Sequence, residues 1–240
     1  MVILKNVSKN FPGCYKPSIA DMTFSLNAGD FCVVIGSNGA GKSTLARLIS
    51  GDYVPSSGSI ILNGDIAQVV QDVTAGTIAE LTVLENIVLS IVQKPIFSSY
   101  KHYKNQAISF LEEFGIGLEN YIDTPLKFLS GGQRQIIATI MAINSGRKIL
   151  LLDEHTSALD PKTQDLLMNY TVKKALEKNF TTLMITHNMN HALYFGNKLI
   201  MLHQGKIVLE LDDTSKRNMK VSELIAYFRN AEDQILCLGD

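Results

Sequence analysis

Residues 36 to 44 read Gly36-Ser37-Asn38-Gly39-Ala40-Gly41-Lys42-Ser43-Thr44. The stretch fits the pattern G-x-x-x-x-G-K-[ST], in which glycines let backbone N–H groups close around phosphates and the lysine reaches the β and γ oxygens. An apolar run, Phe31-Cys32-Val33-Val34-Ile35, leads into it, and Leu45-Ala46-Arg47-Leu48-Ile49 follows. The loop is therefore expected on a strand-to-helix turn, where the helix N-terminus adds partial positive charge beside the phosphates. That context separates a working phosphate loop from a chance match.

On either side of this loop, short apolar strands and helical stretches alternate, which predicts an α/β architecture. Candidate strands cover 2–7, 23–26, 31–35, 59–62, 66–70, 149–152, 182–185, 199–202 and 206–211. Asn63-Gly64 and His203-Gln204-Gly205 supply turn chemistry between neighbouring strands. From about Asp72 to Asn144 the pattern is mostly helical and reads as an insertion within the α/β core. In 103–114, apolar residues at 103, 107, 110, 111 and 114 share one helix face, and Gly115 follows as a C-cap. Asp160-Pro161 reads as an N-cap with proline at the first helical position, opening a helix to about Lys178. No internal repeat or long linker interrupts the chain. Residues 1–240 thus read as one domain, with 1–71 and 145–240 forming the core and about 72–144 the helical part.

A second constellation lies at Ile149-Leu150-Leu151-Leu152-Asp153-Glu154. An apolar strand ending in two carboxylates places them at the C-terminal edge of the sheet, where ligands bind in doubly wound folds. Asp153 suits Mg²⁺ coordination together with the Ser43 hydroxyl. Glu154 is then placed to orient or deprotonate an attacking water.

Bulk properties narrow the class. With 46% hydrophobic residues and a net charge of -1, neither extended disorder nor a generally nucleic-acid-binding surface is indicated. No apolar run approaches the ~18 residues of a membrane span. Cys14, Cys32 and Cys237 are scattered and odd in number, so they make neither a metal cluster nor a disulfide framework.

Along essentially its whole length the chain resembles the ATP-binding-cassette ATPase family, through several short motifs in the family's order. Leu129-Ser130-Gly131-Gly132-Gln133 is similar to the family signature. The resemblance implies that Ser130, Gly132 and Gln133 contact the γ-phosphate of ATP held by the opposite subunit. A Ser-Gly-Gly turn, including Gly131, that feeds a helix at 134–144 makes an anion site of that kind. Gln71 resembles the glutamine loop, which implies contact with Mg²⁺ and the catalytic water. Ser157-Ala158-Leu159-Asp160 resembles the loop that crosses the dimer interface. His187, in Ile185-Thr186-His187-Asn188, matches the switch histidine on the γ-phosphate; His102, His155, His191 and His203 read as structural or solvated. For adenine stacking Phe11 aligns best, with Tyr15 close enough to compete. The implied fold is a P-loop NTPase (RecA-like) core sheet with an antiparallel β subdomain and an inserted α-helical signature subdomain.

One departure stands out. Most family members place proline after the Asp-Glu pair, and this chain has His155. Either a protonated His155 weakens Glu154 as a base, or the residue merely fills the turn. The combination DEHTSALDPKT, GSNGAGKSTL, GLENYIDT and THNMNHA resembles one bacterial branch, encoded with tryptophan/tyrosine-type binding proteins and a permease for small polar or amino-acid solutes. The resemblance implies an importer ATPase using ATP and Mg²⁺. Its partners would be a second copy when ATP is bound, integral membrane permease subunits and, indirectly, a substrate-binding protein, with no nucleic acid. It implies a cytoplasmic location, peripheral on the inner face of the plasma membrane. The aromatic stretch around 96–103 would either receive a permease helix or pack inside the insertion. A non-transport cassette ATPase or an exporter subunit is the alternative. A switch GTPase should carry an Asn/Thr-Lys-x-Asp motif, which the sequence lacks.

Overall fold

The alternation of apolar residues along the strands decides how the layers form. In the computed structural model, which describes residues 1–72, 76–92 and 100–236, β3 (Phe31–Gly36) is buried along its whole length. Phe31, Val33 and Ile35 enter one hydrophobic cluster, while Cys32 and Val34 enter another. A strand with both faces covered has no polar face to show, which is why its sequence is continuously apolar rather than alternating. β6 (Ile149–Asp153) divides the same way: Leu150 and Leu152 face one cluster, Ile149 and Leu151 the other.

The remaining elements, in order, are β1 (Val2–Lys9), β2 (Ile19–Leu26), α1 (Lys42–Ser50) after β3, β4 (Ser57–Leu62), β5 (Ile66–Val69), α2 (Val83–Ile91), α3 (Tyr100–Phe114) and α4 (Gly131–Asn144). Beyond β6 come α5 (Pro161–Glu177), β7 (Thr181–Ile185), α6 (Met189–Tyr194), β8 (Lys198–His203), β9 (Lys206–Leu211), α7 (Asp213–Asn218) and α8 (Val221–Leu236). A six-stranded sheet has the order β5-β6-β7-β3-β8-β9, parallel except for β9. An antiparallel three-stranded sheet, β2-β1-β4, packs through the cluster that also holds α1. Helices α2 to α5 share the opposite cluster with the large sheet. Among the described residues no helix is long and apolar enough to cross a membrane.

The nine candidate strands all form, with small boundary changes. The largest is β2, which begins at Ile19 rather than 23. Asp21 adopts φ 48 and the β1–β2 register shifts between Leu4 and Val7, so irregular pairing hides the strand's first half from an alternation test. His203-Gln204-Gly205 closes the β8–β9 hairpin with positive φ at Gln204 and Gly205. Asn63-Gly64, by contrast, joins two strands of different sheets, so it is a crossing and not a hairpin. Ala107, Leu111 and Phe114 bury one face of α3, and Gly115 follows at φ 82. Asp160 caps α5 by accepting from the Thr163 N–H at 3.1 Å, ahead of Pro161. Residues 96–99 of the aromatic stretch, and Cys237, lie outside the described residues.

Candidate functional site

Parallel pairing aligns three strand ends. Val34, Ile185 and Asp153 occupy one register row across β3, β7 and β6. The residues just beyond, Gly36 to Thr44, Thr186-His187 and Glu154, therefore gather at a single edge of the sheet.

The phosphate loop needs glycine where backbone approaches most closely. At Gly36, φ 156, a Cβ would lie 2.4 Å from the Leu202 carbonyl oxygen, and at Gly41, φ 104, 2.5 Å from that of Ser18. The loop is braced from behind: the Gly205 N–H donates to the Ala40 carbonyl at 3.0 Å, and the Ser18 and Thr44 hydroxyls lie 2.7 Å apart. Asn38 and Gly39 form its exposed tip, with Ser37 half-buried and Ser43 exposed at the start of α1. Lys42 is buried, and its Nζ donates to the carbonyls of Gly36 at 2.7 Å and Ser37 at 2.9 Å. Burial lowers its pKa, while the Glu154 and Asp153 carboxylates pull it back up. An ammonium held by two carbonyls at the mouth of an anion loop is ready to exchange them for phosphate oxygens.

Glu154 and His187 meet across the edge, with Nε2 2.6 Å from Oε1. Glu154 has φ 49, a left-handed conformation that a non-glycine residue holds only when its surroundings enforce it. Its N–H donates to the Ile185 carbonyl at 3.1 Å and its own carbonyl accepts from the Ser157 N–H at 3.0 Å. An open cleft beside the pair is lined by Thr156, Ser157, Gln164, Thr186 and Asn188. Asp153 has its pKa raised, first by burial and then by the neighbouring Glu154 charge, against the pull of Lys42, Arg47 and His187. Asn188 caps α6 directly after His187, accepting from the N–H groups of Asn190 and His191.

Ser130 caps α4. Its hydroxyl accepts from the Gln133 N–H at 3.2 Å, while its own N–H donates to Gln133 Oε1 at 2.9 Å. This reciprocal capping box orients the first turn of the helix with Ser130 exposed and Gly131, Gly132 and Gln133 half-buried. Nothing lies within 4 Å of a Cβ placed at Gly131, whereas one at Gly132 would meet Leu159 at 2.8 Å and the Ala158 carbonyl at 3.2 Å.

Gln71 is exposed two residues beyond β5, the strand paired with β6. Ser43, Asp153 and Gln71 offer hydroxyl, carboxylate and amide oxygens, a hard donor set. Among the described residues no group of three or more His, Cys, Asp or Glu could cage a metal. That suits Mg²⁺, which takes few protein ligands beside water and phosphate oxygens. The Phe11 ring rests edge-on against Tyr53 at 5.2 Å with Lys9 Nζ 5.2 Å from its centroid. Tyr15 stands fully exposed. The Asp160 carboxylate is occupied as the cap of α5, which holds its pKa below the usual range through hydrogen bonds to Thr163.

The structure also draws in Gln135, which the sequence left aside, and bears on the two readings of His155. Gln135, 0% exposed on α4, donates from Nε2 to the Glu154 carbonyl at 3.3 Å and accepts the Ala158 N–H at 3.1 Å. The only signal for it was a polar residue at the head of an apolar helical run. His155 is 1% exposed, and burial, helped by His191, pushes its pKa down to about 3. Burial therefore favours the neutral base at neutral pH, which supports the reading in which it fills the turn over the electrostatic one.

Residues 19–157 match the family described as ABC transporter. A tyrosine transport ATP-binding protein of Clostridioides difficile is 40% identical over 96% of this chain and 100% of the relative. An aliphatic sulfonates import ATP-binding protein of Burkholderia cenocepacia is 32% identical over 98% of this chain and 70% of that protein. A solved dimeric post-hydrolysis state of the ATP-binding cassette MJ0796, bound to ADP and Pi, superposes with a TM-score of 0.79 at 27% identity, covering 89% of this chain and 99% of that one. The braced phosphate loop, the Asp153-Glu154 strand end and the matches over most of the sequence lead to one conclusion: the chain belongs to the ABC transporter family, as an ATP-hydrolysing subunit.

Proposed function

We propose that the chain powers a bacterial importer, working as a head-to-tail homodimer beneath membrane permease subunits. A cargo of the amino-acid class fits the full-length likeness to the tyrosine transport ATP-binding protein. In each of two composite sites, Gly36–Thr44 of one copy would face Ser130, Gly131, Gly132 and Gln133 of the other, with Asp160 at the boundary between copies. Two-fold symmetry makes the two sites equivalent. Phe11 would stack on adenine. A substrate-binding protein outside the membrane would deliver the solute. The chain would then sit on the inner face of the plasma membrane as one domain, the helical part at about 72–144 turned towards the permease.

The observation that carries this reading is the Glu154–His187 pair at 2.6 Å, on the same sheet edge as Lys42. The backbone N–H groups of the loop and the N-terminus of α1 bind the phosphates, and Lys42 Nζ leaves the Gly36 and Ser37 carbonyls for the β and γ oxygens. Ser43, Asp153 and Gln71 would hold Mg²⁺, which when bound offsets phosphate charge. Glu154 accepts a proton from the water as its oxygen attacks the γ-phosphorus; the bond to the bridging oxygen breaks and ADP leaves. His187, whose Nε2 lies 2.6 Å from Glu154 Oε1 in the resting arrangement, turns to donate to the γ-phosphate. Phosphate release removes the anion that joins the two copies, and the dimer opens.

Glu154→Gln tests the assignment. It should leave ATP affinity intact, lower turnover by roughly two to four orders of magnitude and accumulate an ATP-bound dimer by sedimentation velocity. Turnover close to wild type would remove Glu154 from the role.

A further inference from the structure

Glu154 holds a conformation its own chemistry disfavours, and among the described residues the side chain of Gln135 hydrogen-bonds its peptide group. Its φ is 49, its N–H is bound to Ile185 and its carbonyl receives the Ser157 N–H, all backbone contacts. Gln135 adds the side-chain contact, Nε2 to the Glu154 carbonyl at 3.3 Å, while Oε1 takes the Ala158 N–H at 3.1 Å. One amide thus spans the turn from Glu154 to Ala158 with both of its faces used.

The same helix carries the capping box of Ser130 and Gln133 one turn earlier. Its first turn is seated directly on that catalytic turn, because Gly132 has room for no Cβ between Leu159 and the Ala158 carbonyl. Gln135 is itself fully buried, so its amide reaches these two backbone groups from inside the protein.

We propose that Gln135 is a positioning residue for hydrolysis. It holds the Glu154 peptide in its left-handed conformation and ties the catalytic turn to the start of α4, so that a displacement of Ser130–Gln133 is carried to Glu154 of the same chain. This rests on Glu154 being the base.

The test compares Gln135→Met, which keeps the volume and removes both bonds, with Gln135→Glu, which keeps an acceptor for Ala158 N–H and loses the donor to Glu154. Each is made in the wild type and in Glu154→Gln, with kcat and KM measured and ATP-driven dimerisation followed by sedimentation velocity. Both variants should lower kcat about ten- to a hundredfold and leave KM within about twofold, as expected of a misplaced catalytic group. In the Glu154→Gln background neither should lower the residual rate further, because there is no base left to position. The Glu154→Gln dimer should persist when either change is added. An equal fold-loss in both backgrounds, a loss confined to KM, or unchanged kcat in Gln135→Glu would overturn the proposal. If Gln135→Met fails to fold, Gln135→Glu decides alone. Near-normal turnover of Glu154→Gln by itself would instead show that the base assignment has failed.

Discussion

Acid should destabilise this protein through His155, and the size of the effect follows from its burial. The side chain is 1% exposed and Nε2 has no hydrogen-bond partner among the described residues, so the fold accepts it only as the neutral base. Burial, with His191 adding to it, pushes the pKa from the ordinary 6.5 down to about 3. Between those values the unfolded chain binds a proton that the folded chain refuses. The contribution is therefore complete above pH 6.5 and is lost as pH falls, at about 1.4 kcal/mol per pH unit. At pH 5 the loss is about 1.5 units times 1.4, or about 2 kcal/mol, a sizeable part of the ~5–15 kcal/mol that holds a domain folded. Urea unfolding of wild type and His155→Leu at pH 7.5 and pH 5 isolates it. Groups common to both proteins and distant from His155, such as the low-pKa carboxyls of Asp30 and Glu113, cancel in the comparison. Wild type should lose about 2 kcal/mol more than the variant. Parallel losses would mean that His155 titrates normally and that burial is not what governs it. The ATPase assay gives an independent check. A neutral His155 adds no charge beside Glu154, so the pH profiles of wild type and His155→Pro should superimpose after scaling.

Two further outcomes are expected. Lys42→Ala should weaken ATP binding about ten- to a hundredfold, the worth of a charge-assisted contact, whereas Ser130→Arg should leave monomer affinity nearly unchanged and block turnover. Mixing the two should restore part of the activity, because each mixed dimer keeps one site with both native elements; equilibrium binding and steady-state hydrolysis read both effects. Asn188→Ala removes the cap of α6 behind His187 and should cost about 1 kcal/mol in urea unfolding, with a lower kcat.

The strands were readable because the large sheet is covered on both faces, so β3 and β6 had to be apolar throughout. The candidate site was readable because the glycine-rich loop, the Asp153-Glu154 pair and His187 each follow on a strand end, where parallel pairing brings them together. Where regular geometry failed, so did the reading. The bulged start of β2 carries no clean alternation, and Asn63-Gly64 has the chemistry of a hairpin turn yet joins strands of different sheets. His155 shows a different limit. Adjacency to Glu154 suggests a charge effect, but burial governs the charge state, and His191, which adds to the shift, lies far along the chain on α6.

Gln135 marks the line between what a motif states and what it implies. Its partners lie 19 and 23 residues away, beyond any local pattern. Helical geometry nevertheless limits what it can do. At about 100° per residue, Gln133 and Gln135 point some 200° apart, so the two cannot share a surface. Gln133 belongs to the exposed capping turn, half-buried beside Ser130, and Gln135 is turned fully into the protein. A polar residue on the buried face of a helix needs a polar partner inside, since leaving its amide unpaired costs more than an apolar side chain would. The partners available to it are backbone groups of the turn from Glu154 to Ala158. A single short string, Ser130 to Gln135, therefore exposes its capping turn on one face and holds the Glu154 carbonyl with the other, and this follows from helix pitch and desolvation once α4 is known to pack on that turn.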